Sequence, residues 1–407
     1  MDLAEAQARL GQFLSPLAVD EFLGPGLSGG FRVSRHDGRS GGRPALLGAD
    51  PRAVLAGAVH LASELTYHSA NASGPPPDLS GVRDARDFRE RIDAFHARNY
   101  SIRFPDLRPL SPELDALARA LELLIQGPVT ASAFWSRGGM RAPVHYDDHD
   151  LIVVQLEGTK RWYVATRPSE LFNTWRGVSG NPPDLGAHQV LDLAPGDLMY
   201  LPRGTFHTVD SDTESVHLAI GFTPLTLREA VIAALDHLSD LNRPLRATLA
   251  GQLENADLEA LAPAVAEAVG HLFNAARSPG FVAAALQRRA SRAVADLVPL
   301  KRPTMTPAVS LDSVLRHAEG AFTQIGASAD TIDVAYPGGH LYIHRGAQEA
   351  VVYIADTPRF RVRDLPGPIG DEVRLALVAR FLEVGFLEVA SPTASVADLF
   401  ASAPVSA

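Results

Sequence analysis

The chain has no cysteine among its 407 residues. That absence excludes disulfides, thiolate metal sites, iron–sulfur clusters and cysteine nucleophiles, so any metal must be held by histidine and carboxylate. It also lacks any run of eighteen apolar residues, the length a membrane helix needs. The opening Met1-Asp2-Leu3-Ala4-Glu5 has no basic n-region and no apolar core, so no secretory leader is expected and the chain reads as cytoplasmic. A basic excess is missing too: Lys and Arg number 37 against 47 Asp and Glu, a net charge of −10. This disfavours a generic nucleic-acid binder and is compatible with a basic protein or peptide partner. There is no internal repeat. The remaining composition, 46% hydrophobic with a mean hydropathy of +0.01, is that of a globular protein. Its length suits two or three domains, with room for a large core.

Residues 1–100 read as mixed helix and loop, with a short helical segment at Ala53–Ala62, a break at Gly74-Pro75-Pro76-Pro77 and a charged helix over Asp84–His96. Ser111 to Leu124 is amphipathic, with Ser111 as N-cap and Pro112 at the first helical position. From Val129 the apolar period changes to two. Strands are expected at Thr130–Ser136, Asp150–Leu156, Arg161–Ala165, Gln189–Leu193, Asp197–Leu201 and Val216–Phe222, separated by turns at Glu157-Gly158, Pro182-Pro183, Pro195-Gly196-Asp197 and Pro202-Arg203-Gly204. Many short strands of this kind predict a barrel or sandwich.

Helical periodicity returns over Leu227–Leu241, Asp257–Ala276 and Gly280–Val298. Val231, Ile232, Ala234, Leu235 and Leu238 form one apolar stripe, and Leu258, Leu261, Val265 and Val269 another. Such stripes must be buried, either over the barrel or in a homodimer. After a linker at Lys301-Arg302-Pro303-Thr304, short strands are expected at Thr331–Ala335, Leu341–His344, Ala350–Ile354 and Phe360–Val362. A helix near Gly370–Val384 carries Val373, Leu377, Val378, Phe381 and Leu382 on one face and ends at Gly385. This last part predicts a small winged-helix-like unit.

The chemistry lies in Pro143-Val144-His145-Tyr146-Asp147, answered about sixty residues later by Gly196…Pro202-Arg203-Gly204-Thr205-Phe206-His207. Two imidazoles and a carboxylate are the ligand set of a facial triad, which suits non-haem Fe(II) and leaves positions open. In a strand, residues i and i+2 share a side, so His145 and Asp147 converge while His207 approaches from another strand. The competing reading is two unrelated surface histidines. His149 has the same parity, so it is a competing ligand or, in the favoured reading, lines the pocket or packs, and His217 is either a pocket or supporting residue or a hydrogen-bonded core histidine. Asp148 and Tyr146 face away. Activation of O2 at such a metal calls for an electron source, most commonly 2-oxoglutarate, whose far carboxylate needs a cation. Lys160 follows Asp147 by thirteen residues, and spacing leaves it either pointing inward or at a hairpin tip.

Residues 143–163 resemble the signature of the JmjC-type ribosomal oxygenases, the cupin-4 group, and 196–207 are similar to that group's second motif. The likeness is specific over 129–225, weaker over Tyr100–Gly127, and returns at Phe360–Gly367, which is similar to the family's C-terminal winged helix. It implies an α+β chain with a double-stranded β-helix (jelly-roll, JmjC-type cupin) core. The implied layout is a mixed N-terminal region at 1–100, a catalytic core at 101–225, a helical dimerisation region at 226–300 and a winged-helix-like domain at 305–400. It further implies Fe(II)/2-oxoglutarate-dependent hydroxylation of a protein or peptide side chain with O2. By that resemblance His145, Asp147 and His207 bind iron, Lys160 pairs with the far carboxylate of 2-oxoglutarate, and Gln155 sits where the family keeps a glutamine in the core strand; Gln155 and His217, with Lys160, are the cofactor-binding candidates.

Two departures stand out. The strand Ala131-Ser132-Ala133-Phe134-Trp135-Ser136 lacks the tyrosine that the family uses on 2-oxoglutarate, and Gly29 to Gly38 replace an aromatic-rich opening. The alternatives are the same chemistry on a peptide natural-product precursor or a free amino acid, or a non-catalytic cupin and winged-helix regulator. Residues 369–390 carry more Asp and Glu than Arg, so a nucleic-acid role for the winged helix is disfavoured.

Overall fold

Alternation of apolar side chains decides the architecture of the first half of the chain. The computed structural model describes residues 1–23, 30–37, 42–166, 184–247 and 258–390. The turn expected at Pro182-Pro183, the helix start at Asp257, and Gly29 and Gly38 lie outside the described residues. The chain divides into two units, Leu3–Leu225 and Thr226–Ala407 with Met1–Asp2.

The first unit contains helices α1 (Leu3–Leu14), α2 (Val19–Leu23), α3 (Pro51–Gly57), α4 (Ala85–His96) and α5 (Pro112–Ile125). Its strands are β1 (Arg32–Ser34), β2 (Thr66–His68), β3 (Ser101–Phe104), β4 (Val129–Ser136), β5 (Met140–Arg141), β6 (Asp150–Glu157), β7 (Lys160–Ala165), β8 (His188–Leu193), β9 (Leu198–Leu201), β10 (His207–Ser211) and β11 (Ser215–Phe222). A seven-stranded sheet runs β1-β9-β6-β11-β4-β3-β2, and a four-stranded sheet runs β5-β10-β7-β8. All the pairings are antiparallel.

Strands β9, β6 and β11 of the larger sheet are buried on both faces. On β6, Ile152 and Val154 pack into a core with Leu10 of α1, Phe88 of α4 and Leu117 of α5. Leu151 and Val153 point the other way, into a core shared with Trp162, Val164, Leu193 and Val209 of the smaller sheet. Each such side chain contributes about 1.5–3 kcal/mol when fully buried. A one-residue slip would exchange the two faces, so register is strongly held. The arrangement is two facing sheets of cupin type, with helices on the outer face of the larger one.

The turn between β6 and β7 sets where β7 begins. Gly158 has φ +63°, and a Cβ there would lie 2.2 Å from the Glu214 carbonyl oxygen. Gln155 closes the same turn, donating from Nε2 to the carbonyls of Glu157, Gly158 and Val216. Ser111 caps α5 as expected, accepting from Leu114 N at 3.2 Å.

In the second unit α6 (Leu227–Leu241), α7 (Leu258–Ala276) and α8 (Pro279–Ala295) precede β12 (Val314–His317), β13 (Gln324–Ala327), β14 (Thr331–Tyr336), β15 (Gly339–His344), α9 (Gln348–Asp356), β16 (Arg359–Arg361), α10 (Asp371–Glu383) and β17 (Leu387–Val389). Its sheets are β16-β12-β17 and β13-β14-β15. The strand expected at Ala350–Ile354 is part of helix α9. Its β-branched residues mislead, because Ala350, Val351 and Ile354 are buried at helical spacing. On α10, Leu377, Val378, Phe381 and Leu382 are buried as expected, whereas Val373 is 47% exposed. Gly385 follows the helix with φ +77°. Among the described residues, no helix is long and apolar enough to cross a membrane.

Candidate active site

Residues 143–149 are not a strand. His145 instead forms an isolated bridge with His207, the first residue of β10. Its N–H donates to the His207 carbonyl at 3.0 Å, and the His207 N–H donates back to the His145 carbonyl at 2.8 Å. Gly204 N donates to the Asp147 carbonyl at 2.9 Å. The Pro202-to-His207 turn therefore holds both ends of the His-x-Asp segment, and convergence comes from this bridge rather than from strand alternation.

The three side chains meet. One donor atom from each of His145, Asp147 and His207 lies within 4.8 Å of the others. His207 Nε2 is 3.6 Å from Asp147 Oδ2, and the two imidazole centroids are 4.3 Å apart. Each ring is oriented by its own backbone: His145 Nδ1 donates to the Pro143 carbonyl at 2.9 Å and His207 Nδ1 to the Thr205 carbonyl at 3.0 Å. Both Nε2 lone pairs are thereby turned toward the carboxylate, the arrangement that metal-ligating histidines use. Burial first, then the neighbouring His145, lowers His207 to about 4, so its ring is neutral near pH 7 and able to ligate. Two nitrogens and one oxygen, with no thiolate, suit Fe(II) or Mn(II) in a site with open positions.

The triad lines a cavity of about 280 Å³. Its walls include Phe134, Leu151, Val153, Trp162 and Val209, with His68, His149, His217, Ser132 and Arg103 as polar lining. His149 lies against Gly221, where a Cβ would come within 2.5 Å of its ring. Tyr146 and Asp148 are absent from the lining; Asp148 instead accepts from His149 Nδ1 at 2.9 Å.

Lys160 points inward and is 1% exposed, which settles against a hairpin tip. Yet it does not line the cavity. Its ammonium donates to the Phe134 carbonyl at 3.3 Å, Ser136 Oγ at 3.0 Å and His217 Nδ1 at 2.8 Å, which accounts for all three of its hydrogens. Between Lys160 and the cavity stands His217, which is 3% exposed, lines the cavity and stacks on Phe134 at 4.9 Å. Burial and then Lys160 push His217 well below the usual imidazole range. With Nδ1 accepting from the ammonium, the neutral ring carries its proton on Nε2, which has no partner among the described residues and faces the cavity. Burial lowers Lys160 itself to about 7.

Gln155 is a correction. It shares a strand face with Leu151 and Val153 but is drawn into the β6–β7 turn and does not line the cavity. Sequence reading missed His68 and Arg103; the Tyr100-Ser101-Ile102-Arg103-Phe104 alternation was the available signal for the second.

Residues 110–230 match the family model described as the JmjC domain. Over that span the chain is similar to JmjC domains. Over 130 residues it is 31% identical to ribosomal oxygenase 2 of Mus musculus, a match covering 31% of this chain and 28% of that protein. Over 159 residues it is 31% identical to the bifunctional lysine-specific demethylase and histidyl-hydroxylase NO66 of Drosophila willistoni, covering 37% and 20%. The chain thus spans under a third of the length of these curated relatives. The X-ray structure of E. coli ycfD shares the fold, with a TM-score of 0.52 and 17% identity over 92% of this chain and 98% of that one. The matched span holds the triad and most of the cavity lining, from Thr130 on β4 to Ala219 on β11, while His68 and Arg103 come from before it.

Loss of a ligand should exceed the roughly 10–100-fold that losing an outer hydrogen-bond partner costs a metal site. His207→Ala should therefore weaken Mn(II) binding by more than about 100-fold in titration calorimetry. Its circular dichroism spectrum should stay that of the parent. Retention of parental affinity would remove His207 from the ligand set.

Proposed function

We propose that the JmjC-like domain is an Fe(II)- and 2-oxoglutarate-dependent oxygenase that hydroxylates a side chain of a protein or peptide. The observation that carries this reading is the convergence of His145, Asp147 and His207 at one wall of a largely apolar cavity. When bound, iron and 2-oxoglutarate supply the oxidation: O2 is consumed, 2-oxoglutarate gives succinate and CO2, and one oxygen atom enters a C–H bond. His145, Asp147 and His207 hold the metal, and the backbone carbonyls on the two Nδ1 atoms keep the rings aimed. Phe134, Leu151, Val153, Trp162 and Val209 keep bulk water from it.

The Nε2–H of His217 would hold the far carboxylate of 2-oxoglutarate. Lys160 stands behind, fixing the tautomer and adding positive charge, and so serves as a positioning residue. Gln155 acts through the turn that starts β7. The names of the relatives, ribosomal oxygenase and histidyl-hydroxylase, support a protein substrate.

The second unit belongs to the same proposal. Residues 305–400 serve as a winged-helix-like domain, after the N-terminal region at 1–100, the catalytic core at 101–225 and the helical region at 226–300. On α6, Ala234 and Leu238 are buried, but Val231, Ile232 and Leu235 are 49%, 39% and 41% exposed; on α7, Val265, Val269 and Phe273 are 53%, 59% and 66% exposed. Apolar surface of this extent is uncommon on a monomer, and a second copy of the chain would cover it.

Three outcomes check the proposal. Intact-mass analysis of a substrate peptide after incubation with Fe(II), 2-oxoglutarate and O2 should show the gain of one oxygen, with succinate formed in step. Lys160→Met should raise the 2-oxoglutarate concentration needed for half-maximal turnover by about 10–100-fold, while kcat at saturation falls less; an unchanged requirement would place the anchor elsewhere. Light scattering should give about twice the 43.5 kDa of one chain, and a mass of one chain at micromolar concentration would defeat the dimer.

A further inference from the structure

Arg103 lies on the cavity wall with no hydrogen-bond or ion-pair partner among the described residues. On β3, Ile102 and Phe104 point into the helix-side core while Arg103 points the opposite way, into the cavity. Among the described residues, no acceptor hydrogen-bonds its guanidinium and no carboxylate lies within ion-pair distance. Asp147 is the charge that bears on it, from beyond that distance. A half-buried cation without an acceptor costs stability, and the planar fork of Arg matches a carboxylate with two parallel hydrogen bonds.

Its neighbourhood is built for such a group. Arg103 sits opposite Phe134 of β4, and its diagonal neighbour Ser132 is 3% exposed, lines the cavity and has a hydroxyl without a partner among the described residues. The cation is also separate from Lys160. Lys160 binds Ser136, whose hydroxyl meets Ser101, and Ser101 is two residues back along β3 from Arg103. Two residues on a strand span about 7 Å. If one carboxylate of 2-oxoglutarate is at the metal and the other at His217 and Lys160, Arg103 faces a third anion.

We propose that Arg103 and Ser132 bind a carboxylate of the substrate, so that the residue offered to the metal is an aspartyl or glutamyl side chain. This rests on the oxygenase reading above. The cavity volume, at the small end of ligand sites, leaves room for one side chain beside a five-carbon diacid. The carboxylate on Arg103 therefore belongs to the side chain that approaches the metal.

The test is titration calorimetry with N-acetyl-aspartate N-methylamide and its asparagine twin. It is run on the protein loaded with Mn(II) and 2-oxoglutarate, and on the protein without either. The acid should bind at least about tenfold tighter than the amide, the ratio that one charge-assisted hydrogen bond supports. In Arg103→Gln the ratio should fall to near one while 2-oxoglutarate affinity stays within about twofold, because neutralising Arg103 removes a charge-assisted contact only from the substrate's acid. Arg103→Glu should favour the amide. A parental ratio near one, or one unchanged in Arg103→Gln, overturns the proposal. So does a steep loss of 2-oxoglutarate affinity in Arg103→Gln, which would make Arg103 the cosubstrate's anchor. Failure of 2-oxoglutarate to bind the parent at all would sink the oxygenase reading instead, and the acid-to-amide ratio on the unloaded protein would still decide the role of Arg103.

Discussion

The site depends on two hydrogen bonds between the backbones of residues 145 and 207. His145 and His207 exchange their N–H and C=O groups at 3.0 and 2.8 Å, which locks an irregular segment to the start of β10. Without that exchange the segment 143–149 would be a loop with nothing to set its register, since it belongs to neither sheet. With it, each imidazole is turned by a carbonyl two residues upstream, and Asp147 is drawn in by Gly204. The ligand geometry is therefore set by main chain, which a change of substrate-facing side chains leaves in place.

The cavity beyond the triad is ordered by a buried charge. Lys160 gives one hydrogen each to a carbonyl, a hydroxyl and an imidazole, so its desolvation is offset by three contacts. Removing any one acceptor would leave an ammonium short of a partner in a dry interior, where the penalty is large. The chain of contacts from Ser101 through Ser136 and Lys160 to His217 ties four strands together, β3, β4, β7 and β11, beside the cavity. The same chain makes His217, rather than lysine, the group that an acid would touch. Phe134, on the strand that lacks the family's tyrosine, contributes its ring face to His217 and its carbonyl to Lys160.

Much of this was legible in the residues. Period-two alternation and the turns between runs located β4, β6, β7, β8, β9 and β11 to within a residue at each end. Ser111 and Pro112 marked the start of α5. That His145, Asp147 and His207 come together was legible from residue types and the glycine–proline turn. What escaped had physical causes. Gln348 to Asp356 carries β-branched residues that favour a strand locally, but tertiary burial of Ala350, Val351 and Ile354 makes it helical. The inward side of Lys160 was not decidable from spacing, since the turn is set by Gly158 against Glu214, fifty-six residues away. Arg103 was overlooked because an arginine in a four-residue strand resembles any solvated charge until β4 and Asp147 are placed beside it.

The account stands on chelation: metal and 2-oxoglutarate share one site, with the metal held by His145, Asp147 and His207. The most direct test is the affinity of the parent protein for 2-oxoglutarate, measured by calorimetry with and without Mn(II). The account predicts one 2-oxoglutarate per chain, bound at least about tenfold tighter when the metal is present, since charge-assisted coordination is then added to the contact at His217. Equal affinity with and without Mn(II) would contradict it.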